Sequence, residues 1–300
     1  METVKSAALW RREYLGRGLV TICGFALIAL VLAIAAFLLA KGMETFTVFG
    51  HSPAEFLFSS EWKPSDTETG GGKIGALIFI TGSIVTCGLA LLISVPLSIA
   101  TAIFMTQISP SLGEKCIRSA VEIFVGIPSV VYGWVGLVVL VPLIREMFQI
   151  PHGQSVLAAG IVLAVMIFPT ITSVTADALK SVHPKIIEGA YGLGATRWQM
   201  IRQILLPAAA SGILTAVVLG LARAFGEALA VSMVIGKMRA FPESLLSPTN
   251  NLTAAIASDM GGAMDGGEYN AALWSMALLL FVISLLFILI IHGLGKRSEV

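Results

Sequence analysis

Two oppositely charged side chains, Arg223 and Glu227, lie near the middle of an apolar stretch that runs from Gly212 to Gly236. An ionised Arg or acid at the centre of a membrane helix costs about 2.5–3.5 kcal/mol, so each charge needs a reason to be there. Four positions apart on a helix, the two share one face and can meet as an ion pair. The alternative is that this face lines an anion path, because a guanidinium can hold two oxygens of an oxyanion at once.

A second set of residues, in the fourth loop (residues 177–211), is typical of two short helices joined by a tight turn. Pro184 suits the first turn of one helix, and Gly192 and Gly194 supply a break where positive φ costs nothing. Thr196, followed three residues later by Gln199, fits a capping box that starts the next helix. The apolar positions of that helix fall at spacings of three and four, namely Trp198, Ile201, Ile204 and Leu205. We expect a compact helix-turn-helix, and the simpler alternative is a helix lying at the lipid surface.

The composition is that of an integral membrane protein. Hydrophobic residues make up 56% of the 300 positions and charged residues 12%, whereas a soluble domain carries about 25% charged residues. A net charge of +1 gives no reason to expect a nucleic-acid partner. The cysteines, Cys23, Cys87 and Cys116, have neither pairing nor metal-ligand spacing, so we expect unpaired side chains and no metal. The phosphate-binding loop G-x-x-x-x-G-K followed by Ser or Thr is absent, which predicts no ATPase activity in this chain.

Six stretches are apolar and long enough to cross a bilayer, which takes about 20 residues. They run from Leu19 to Ala40, from Ile74 to Met105 with an interruption at Pro96, from Val121 to Ile144, from Ser155 to Ala176, from Gly212 to Gly236 and from Ala272 to His292. The first exceeds the core of a signal peptide, so we expect an uncleaved anchor. The sequence thus predicts an all-α, polytopic membrane protein, with a tail at 1–18 and a single transmembrane domain at 19–300.

Positive charges are distributed unevenly over the connections between these stretches. The two tails and the second and fourth loops hold twelve Lys and Arg residues, whereas the first, third and fifth loops hold six together with an excess of acids. Positively charged loops stay in the cytoplasm. We therefore expect both termini and the fourth loop on the cytoplasmic side.

The fourth loop resembles the EAA loop of ABC importer permeases, which reads Glu-Ala-Ala, a Gly three residues on, and then Ile-x-Leu-Pro. The matching residues are Glu188, Ala190, Gly194, Ile204, Leu206 and Pro207, and Gly189 departs by replacing the first alanine. The resemblance implies the MetI-like permease fold with six transmembrane helices. It also implies that the fourth loop is the coupling loop that docks on a cytoplasmic ATPase, with Gly194 at a turn whose backbone comes close to that partner.

Five further stretches narrow the resemblance to phosphate-specific importer permeases of the PstC type. They are Ser60–Pro64, Gly126–Gly133, Leu157–Ala164, Gly194–Trp198 and Arg223–Val231. The resemblance implies a PstA-like second permease, two PstB-like ATPase subunits that bind ATP and Mg, and a PstS-like extracytoplasmic phosphate-binding protein. It implies a place in the bacterial cytoplasmic (inner) membrane and no cofactor in this chain.

Against that background, Arg223 and Glu227 become candidates for substrate translocation. The guanidinium of Arg223 can grip phosphate oxygens. Glu227 can accept the OH of hydrogen phosphate, which sulfate lacks at neutral pH, so the two residues together would favour phosphate. Pro128, among glycines in the third stretch, could free backbone N–H groups for an anion, although neighbours often satisfy such breaks. We expect Thr170, Thr172, Ser173 and Thr175 to bond back to their own helix.

Three other functions remain open from the sequence. The nearest is the PstA-type partner permease or a permease for another oxyanion. An ion-coupled secondary transporter would explain the buried charges but not the capped fourth loop. A membrane enzyme lacks support, because neither H-E-x-x-H nor G-x-S-x-G occurs and all four histidines lie at or beyond the ends of the predicted spans.

Overall fold

The computed structural model describes residues 2–297, with side chains for residues 16–291. The backbone of the predicted tail at 1–18 is helical from Glu2 onward and continues into the first span. The side chains of Lys5, Arg11 and Arg12, and those of Lys296 and Arg297 at the other end, lie outside the described residues.

Helices form nearly all of the regular structure within residues 2–297. In chain order they are α1 (Glu2–Thr47), α2 (Pro53–Phe58), α3 (Leu77–Ile103), α4 (Pro110–Leu112), α5 (Arg118–Gly126), α6 (Ser129–Val135), α7 (Val141–Phe148), α8 (Val156–Ser181), α9 (Pro184–Gly192), α10 (Arg197–Gln199), α11 (Leu206–Ala208), α12 (Ala210–Gly226), α13 (Leu229–Val234), α14 (Leu252–Asp259) and α15 (Glu268–Arg297). π-helical segments lie at Phe104–Ile108, Gly113–Ile117, Gly136–Leu140 and Met200–Leu205, and a 3-10 turn at Met260–Gly262. Strands β1 (Trp62–Lys63) and β2 (Lys73–Ile74) pair antiparallel, with Trp62 opposite Ile74.

Five segments are long and apolar enough to cross a membrane. They are Gly16–Thr47, Leu77–Ile108, Ser129–Phe148, Val156–Ser181 and Glu268–Ile291. A sixth is counted when α12 is joined to the segment Arg197–Ala208 before it, although the two are bent by 69°. These five or six helical spans agree with the predicted all-α architecture of about six transmembrane helices.

Two predicted spans are divided into separate helices: the third at Pro128, where the sequence predicts an interruption, and the fifth after Gly226, where it does not. The third, Val121–Ile144, is divided because Ile127 is extended (φ −69°, ψ 128°) and the next helix begins only after Pro128. A residue before proline is pushed out of the helical region, which explains this break. The fifth, Gly212–Gly236, ends its first helix at Gly226. By contrast, the interruption predicted at Pro96 is wrong, because α3 runs through it while packed along α8.

Helix α8 is the centre of the bundle. Two thirds of its most apolar 18-residue stretch is buried, more than in any of the other four single-helix spans of the described chain. Leu163, Ile167 and Ile171 are fully buried. α3 and α12 pack against it. At Gly220, a Cβ would collide with the side chain of Ile171. The missing side chain therefore lets α12 lie close to α8, one turn before Arg223.

The first, third and fifth loops meet at one end of this bundle. The Ser155 amide donates to the Val234 carbonyl (3.1 Å), and the Val156 amide donates to the Ser247 carbonyl (3.2 Å). The fully buried carboxylate of Glu268 accepts hydrogen bonds from the amides of Ser65 (2.7 Å) and Gly72 (2.9 Å). Its other oxygen lies 2.6 Å from His51 Nε2. A single acidic side chain thus ties the first loop to the start of α15.

The second and fourth loops meet at the opposite end. Lys180 Nζ donates to Glu114 Oε1 at 2.8 Å, and Arg197 Nη2 donates to the Ile108 carbonyl at 3.1 Å. The hydrogen bond from Lys180 and its positive charge hold the pKa of Glu114 below its usual value. The structure therefore groups the loops as the charge distribution predicted, odd-numbered loops at one end and even-numbered loops at the other.

Candidate translocation site and coupling surface

The ion pair that a four-residue spacing would allow between Arg223 and Glu227 is absent. Helix α12 ends at Gly226, and Glu227 is extended (φ −78°, ψ 120°), so the two residues do not share a helix face. They do not approach within 4.0 Å of each other. The expectation of one continuous helix failed because the fifth span breaks at residues 227–228, between α12 and α13. The two charges lie instead on either side of that break.

Arg223 is held by a hydroxyl group and not by an acidic partner. Its Nη1 donates to Thr170 Oγ1 on α8 at 2.8 Å, and among the described residues no carboxylate lies within 4.0 Å of the guanidinium. Thr170 is about 21 Å from one end of α8 and about 16 Å from the other, at 1.5 Å per residue. The half-buried guanidinium is therefore held near the middle of the bundle, where an unpaired cation favours an anion.

Glu227 supports the break in the fifth span. Its Oε1 accepts a hydrogen bond from the Ala230 amide at 3.0 Å, which satisfies one of the free N–H groups at the start of α13. Its carbonyl accepts from the Thr253 hydroxyl at 2.7 Å, and Asn251 caps α14 through the Ala254 amide at 2.8 Å. The segment at residues 251–253 thus packs against the break between α12 and α13 and stabilises it.

A backbone carbonyl next to the helix break at Pro128 has a hydrogen-bond partner within the chain. Tyr132 Oη donates to the Phe124 carbonyl at 2.7 Å, so a carbonyl at the end of α5 regains a partner across the break. This is the structural role that neighbours often play at a proline in a membrane helix. Of the four hydroxyl residues expected to bond back along α8, Thr172 does so, to the Phe168 carbonyl at 2.7 Å. Thr170 instead faces α12 and binds Arg223.

The fourth loop folds as the sequence predicts. α9 begins with Pro184 in its first turn, and the turn that follows places Gly194 at φ +83°. Both halves of the capping box are formed: the Gln199 amide donates to Thr196 Oγ1 (3.3 Å) and the Thr196 amide donates to Gln199 Oε1 (2.8 Å). Local turn and capping chemistry therefore determines the path of this loop.

The residues of the EAA resemblance divide between the inner and outer faces of the loop. Ala190 is buried, and Ile204 and Leu206 pack against the cluster of Met200, Ile201 and Leu205. Glu188, Gly189, Gly194 and Pro207 are exposed. The outer face also carries apolar side chains, with Leu193 92% and Trp198 62% exposed, so Trp198 does not join the buried face expected for it. An exposed apolar tip of this kind is typical of a surface that contacts another protein or a membrane.

Comparison with known proteins places this arrangement in a family. Residues 94–300 match the family described as "Binding-protein-dependent transport system inner membrane component". The chain is 51% identical over 288 residues to a Bacillus subtilis protein named "Probable ABC transporter permease protein YqgH", covering 96% of this chain and 92% of that protein. It is 39% identical over 281 residues to the phosphate transport system permease protein PstC of Haemophilus influenzae, covering 87% and 86%.

Solved structures share the fold at lower identity. A chain of a bacterial ABC transporter involved in alginate import superposes with a TM-score of 0.59 at 16% identity, over 96% of this chain and 98% of that one. A chain of the MetNI methionine ABC transporter gives 0.54 at 19% identity, over 73% and 91%. These matches confirm the MetI-like permease fold. The family match and the sequence relatives show that this chain belongs to the inner membrane components of binding-protein-dependent transport systems.

Proposed function

We propose that this chain is the PstC-type permease subunit of an ATP-driven phosphate importer and forms half of the translocation path. The observation that carries the proposal is Arg223, a cation held near mid-bundle by Thr170 with no carboxylate within 4.0 Å in the described chain. Its free N–H groups suit the oxygens of phosphate. The PstC relatives, of which the Haemophilus influenzae protein is one, supply the choice of phosphate over other oxyanions.

Glu227 is the proposed acceptor for the OH of hydrogen phosphate. Its Oε1 is occupied by the Ala230 amide, and Oε2 has no hydrogen-bond donor among the described residues. A free carboxylate oxygen can accept a hydrogen bond from the OH of hydrogen phosphate. Sulfate carries no such proton at neutral pH, so the carboxylate favours hydrogen phosphate over sulfate. An arginine alone would not make that distinction.

The proposed partners follow from the same assignment. We expect a PstA-like second permease, two copies of a PstB-like ATPase that bind ATP and Mg, and a PstS-like phosphate-binding protein. The fourth loop is the proposed coupling loop, because its exposed tip offers Leu193 and the open backbone at Gly194 to a docking protein. Affinity purification of the tagged chain in mild detergent is expected to recover an ATPase and a second permease; recovery of the chain alone under conditions that preserve phosphate uptake would contradict this.

We also propose that both termini and the fourth loop face the cytoplasm. Cys116 is exposed in the second loop, and Cys87 is buried. In a Cys23→Ser variant, a membrane-impermeant maleimide is therefore expected to label Cys116 in inside-out vesicles and not in right-side-out vesicles. The matched control places the thiol in the exposed first loop, as Ser60→Cys with Cys116→Ser, and should reverse the pattern. Labelling of Cys116 from the outside would contradict the orientation.

A further inference from the structure

The hydroxyl of Thr170 is the one hydrogen-bond partner that the described chain gives to the Arg223 guanidinium. The distance from Nη1 to Oγ1 is 2.8 Å, and the bond crosses from α12 to α8 at the level where Gly220 brings the two helices together. An arginine side chain has several rotatable bonds, so a single fixed contact at its tip limits where the other N–H groups point.

The contact leaves one particular edge of the guanidinium available. A guanidinium carries five N–H donors in a planar fork, and Thr170 takes one of them at Nη1. The N–H bonds of Nε and Nη2 on the far edge run parallel to each other. Two parallel donors are the arrangement that binds two oxygens of a phosphate or carboxylate together.

Thr170 and Thr172, two residues apart on α8, use their hydroxyl protons differently. Thr172 donates back to the Phe168 carbonyl at 2.7 Å, which uses its O–H within α8. Thr170 accepts from Arg223, and the described chain contains no acceptor bonded to its O–H. Its proton therefore remains available next to the guanidinium, where it can donate to a third oxygen of a tetrahedral anion.

We infer that Thr170 is a positioning residue for transport: it orients Arg223 so that the Nε–Nη2 edge meets the oxyanion. This inference rests on the proposed function. It adds a specific residue on α8, a helix that would otherwise be only the packing centre of the bundle. This role depends on the hydroxyl group and not on the volume of the side chain. A variant that keeps the volume and loses the hydroxyl therefore tests positioning separately from packing.

The test compares Thr170→Val with Thr170→Ser and Thr172→Val in the complete complex, reconstituted in vesicles with the second permease, the ATPase and the binding protein. Val keeps the shape of Thr without the hydroxyl, and Ser keeps the hydroxyl. Thr172→Val is the matched control, because it removes a neighbouring hydroxyl on the same helix whose one hydrogen bond in the described chain is to a backbone carbonyl. The measurements are the initial rate of phosphate uptake and the phosphate moved per ATP hydrolysed.

Thr170→Val is expected to lower both quantities about tenfold, the loss that corresponds to one hydrogen bond to a charged group. Thr170→Ser and Thr172→Val should stay close to wild type. A Thr170→Val complex that transports as well as Thr172→Val would overturn the inference, as would a Thr170→Ser complex as impaired as Thr170→Val. If Thr170→Val does not assemble, Thr170→Ala and Thr172→Ala give the same comparison without the extra branching. A wild-type complex that moves no phosphate would overturn the proposed function itself.

Discussion

Replacing Arg223 with Gln is expected to reduce phosphate uptake at least about a hundredfold, the scale of loss when one donor to an oxyanion is removed from an enzyme site, while the complex still assembles. Glutamine offers one neutral amide where the guanidinium offered a permanent charge and a fork of donors. Removing an unpaired cation from the middle of the membrane relieves a desolvation cost, so folding should not suffer. The measurements are complex yield, ATP hydrolysis stimulated by the binding protein, and uptake of labelled phosphate. Arg145→Gln, at an exposed position on α7, is the control and should transport normally.

Adding Glu227→Gln to Arg223→Gln is not expected to restore uptake. Restoration would require that the two charges serve only each other, and they make no ion pair in the structure. The amide oxygen of Gln can still accept from the Ala230 N–H, so the start of α13 stays capped. Glu227→Ala removes that cap and should cost about 1 kcal/mol of stability. Recovery of uptake in the double variant would return both residues to a structural role.

The second large effect is expected at the turn of the fourth loop. Gly194 has φ +83°, a conformation that costs a β-branched residue about 1–2 kcal/mol or more. A Cβ at this position would meet no atom of the chain within 4 Å, so the cost is conformational and falls on the turn alone. Gly194→Val should therefore leave membrane insertion and pairing with the second permease intact. Binding-protein-stimulated ATP hydrolysis and uptake should both fall about tenfold, because α9 and the helix after it change their relative orientation.

Two neighbouring glycines provide matched controls for Gly194→Val. Gly189 and Gly192 lie in α9, and a Cβ at either position also meets nothing within 4 Å. Because both sit in a helix, Ala is favoured there over Gly by about 0.5–1 kcal/mol. Gly189→Ala and Gly192→Ala should transport at wild-type rates. If Gly194→Val transports like these controls, the turn does not couple to the ATPase.

The parts of the structure that could be predicted are those determined by residues close in sequence. The capping box of Thr196 and Gln199 needs only four residues, and both of its hydrogen bonds are present. The spans and the grouping of the loops follow from hydropathy and charge. Both properties can be read along the chain without knowing which segments touch. For this reason the fourth loop and the membrane spans were accessible from the sequence.

The parts that could not be predicted depend on contacts between distant segments. Three prolines illustrate this: Pro128 ends a helix, whereas α3 and α8 run through Pro96 and Pro169. The difference lies in the neighbours, because α3 and α8 pack along each other and Tyr132 bridges the break at Pro128. The contact between Thr170 and Arg223 joins two helices in the same way, and the sequence pattern of α8 suggested only local bonds for Thr170. A half-buried hydroxyl next to an arginine that has no carboxylate partner in the described chain becomes visible only once the helices are placed.

Uptake of labelled phosphate by vesicles that hold the complete complex shows whether this chain works as a subunit of an ATP-driven phosphate importer. We expect uptake that requires ATP inside the vesicle together with the ATPase, the second permease and the binding protein outside. We further expect that unlabelled sulfate does not compete, and that the Arg223→Gln complex hydrolyses ATP without moving phosphate. Uptake that persists without the ATPase, or that continues at the wild-type rate in the Arg223→Gln complex, would contradict this role.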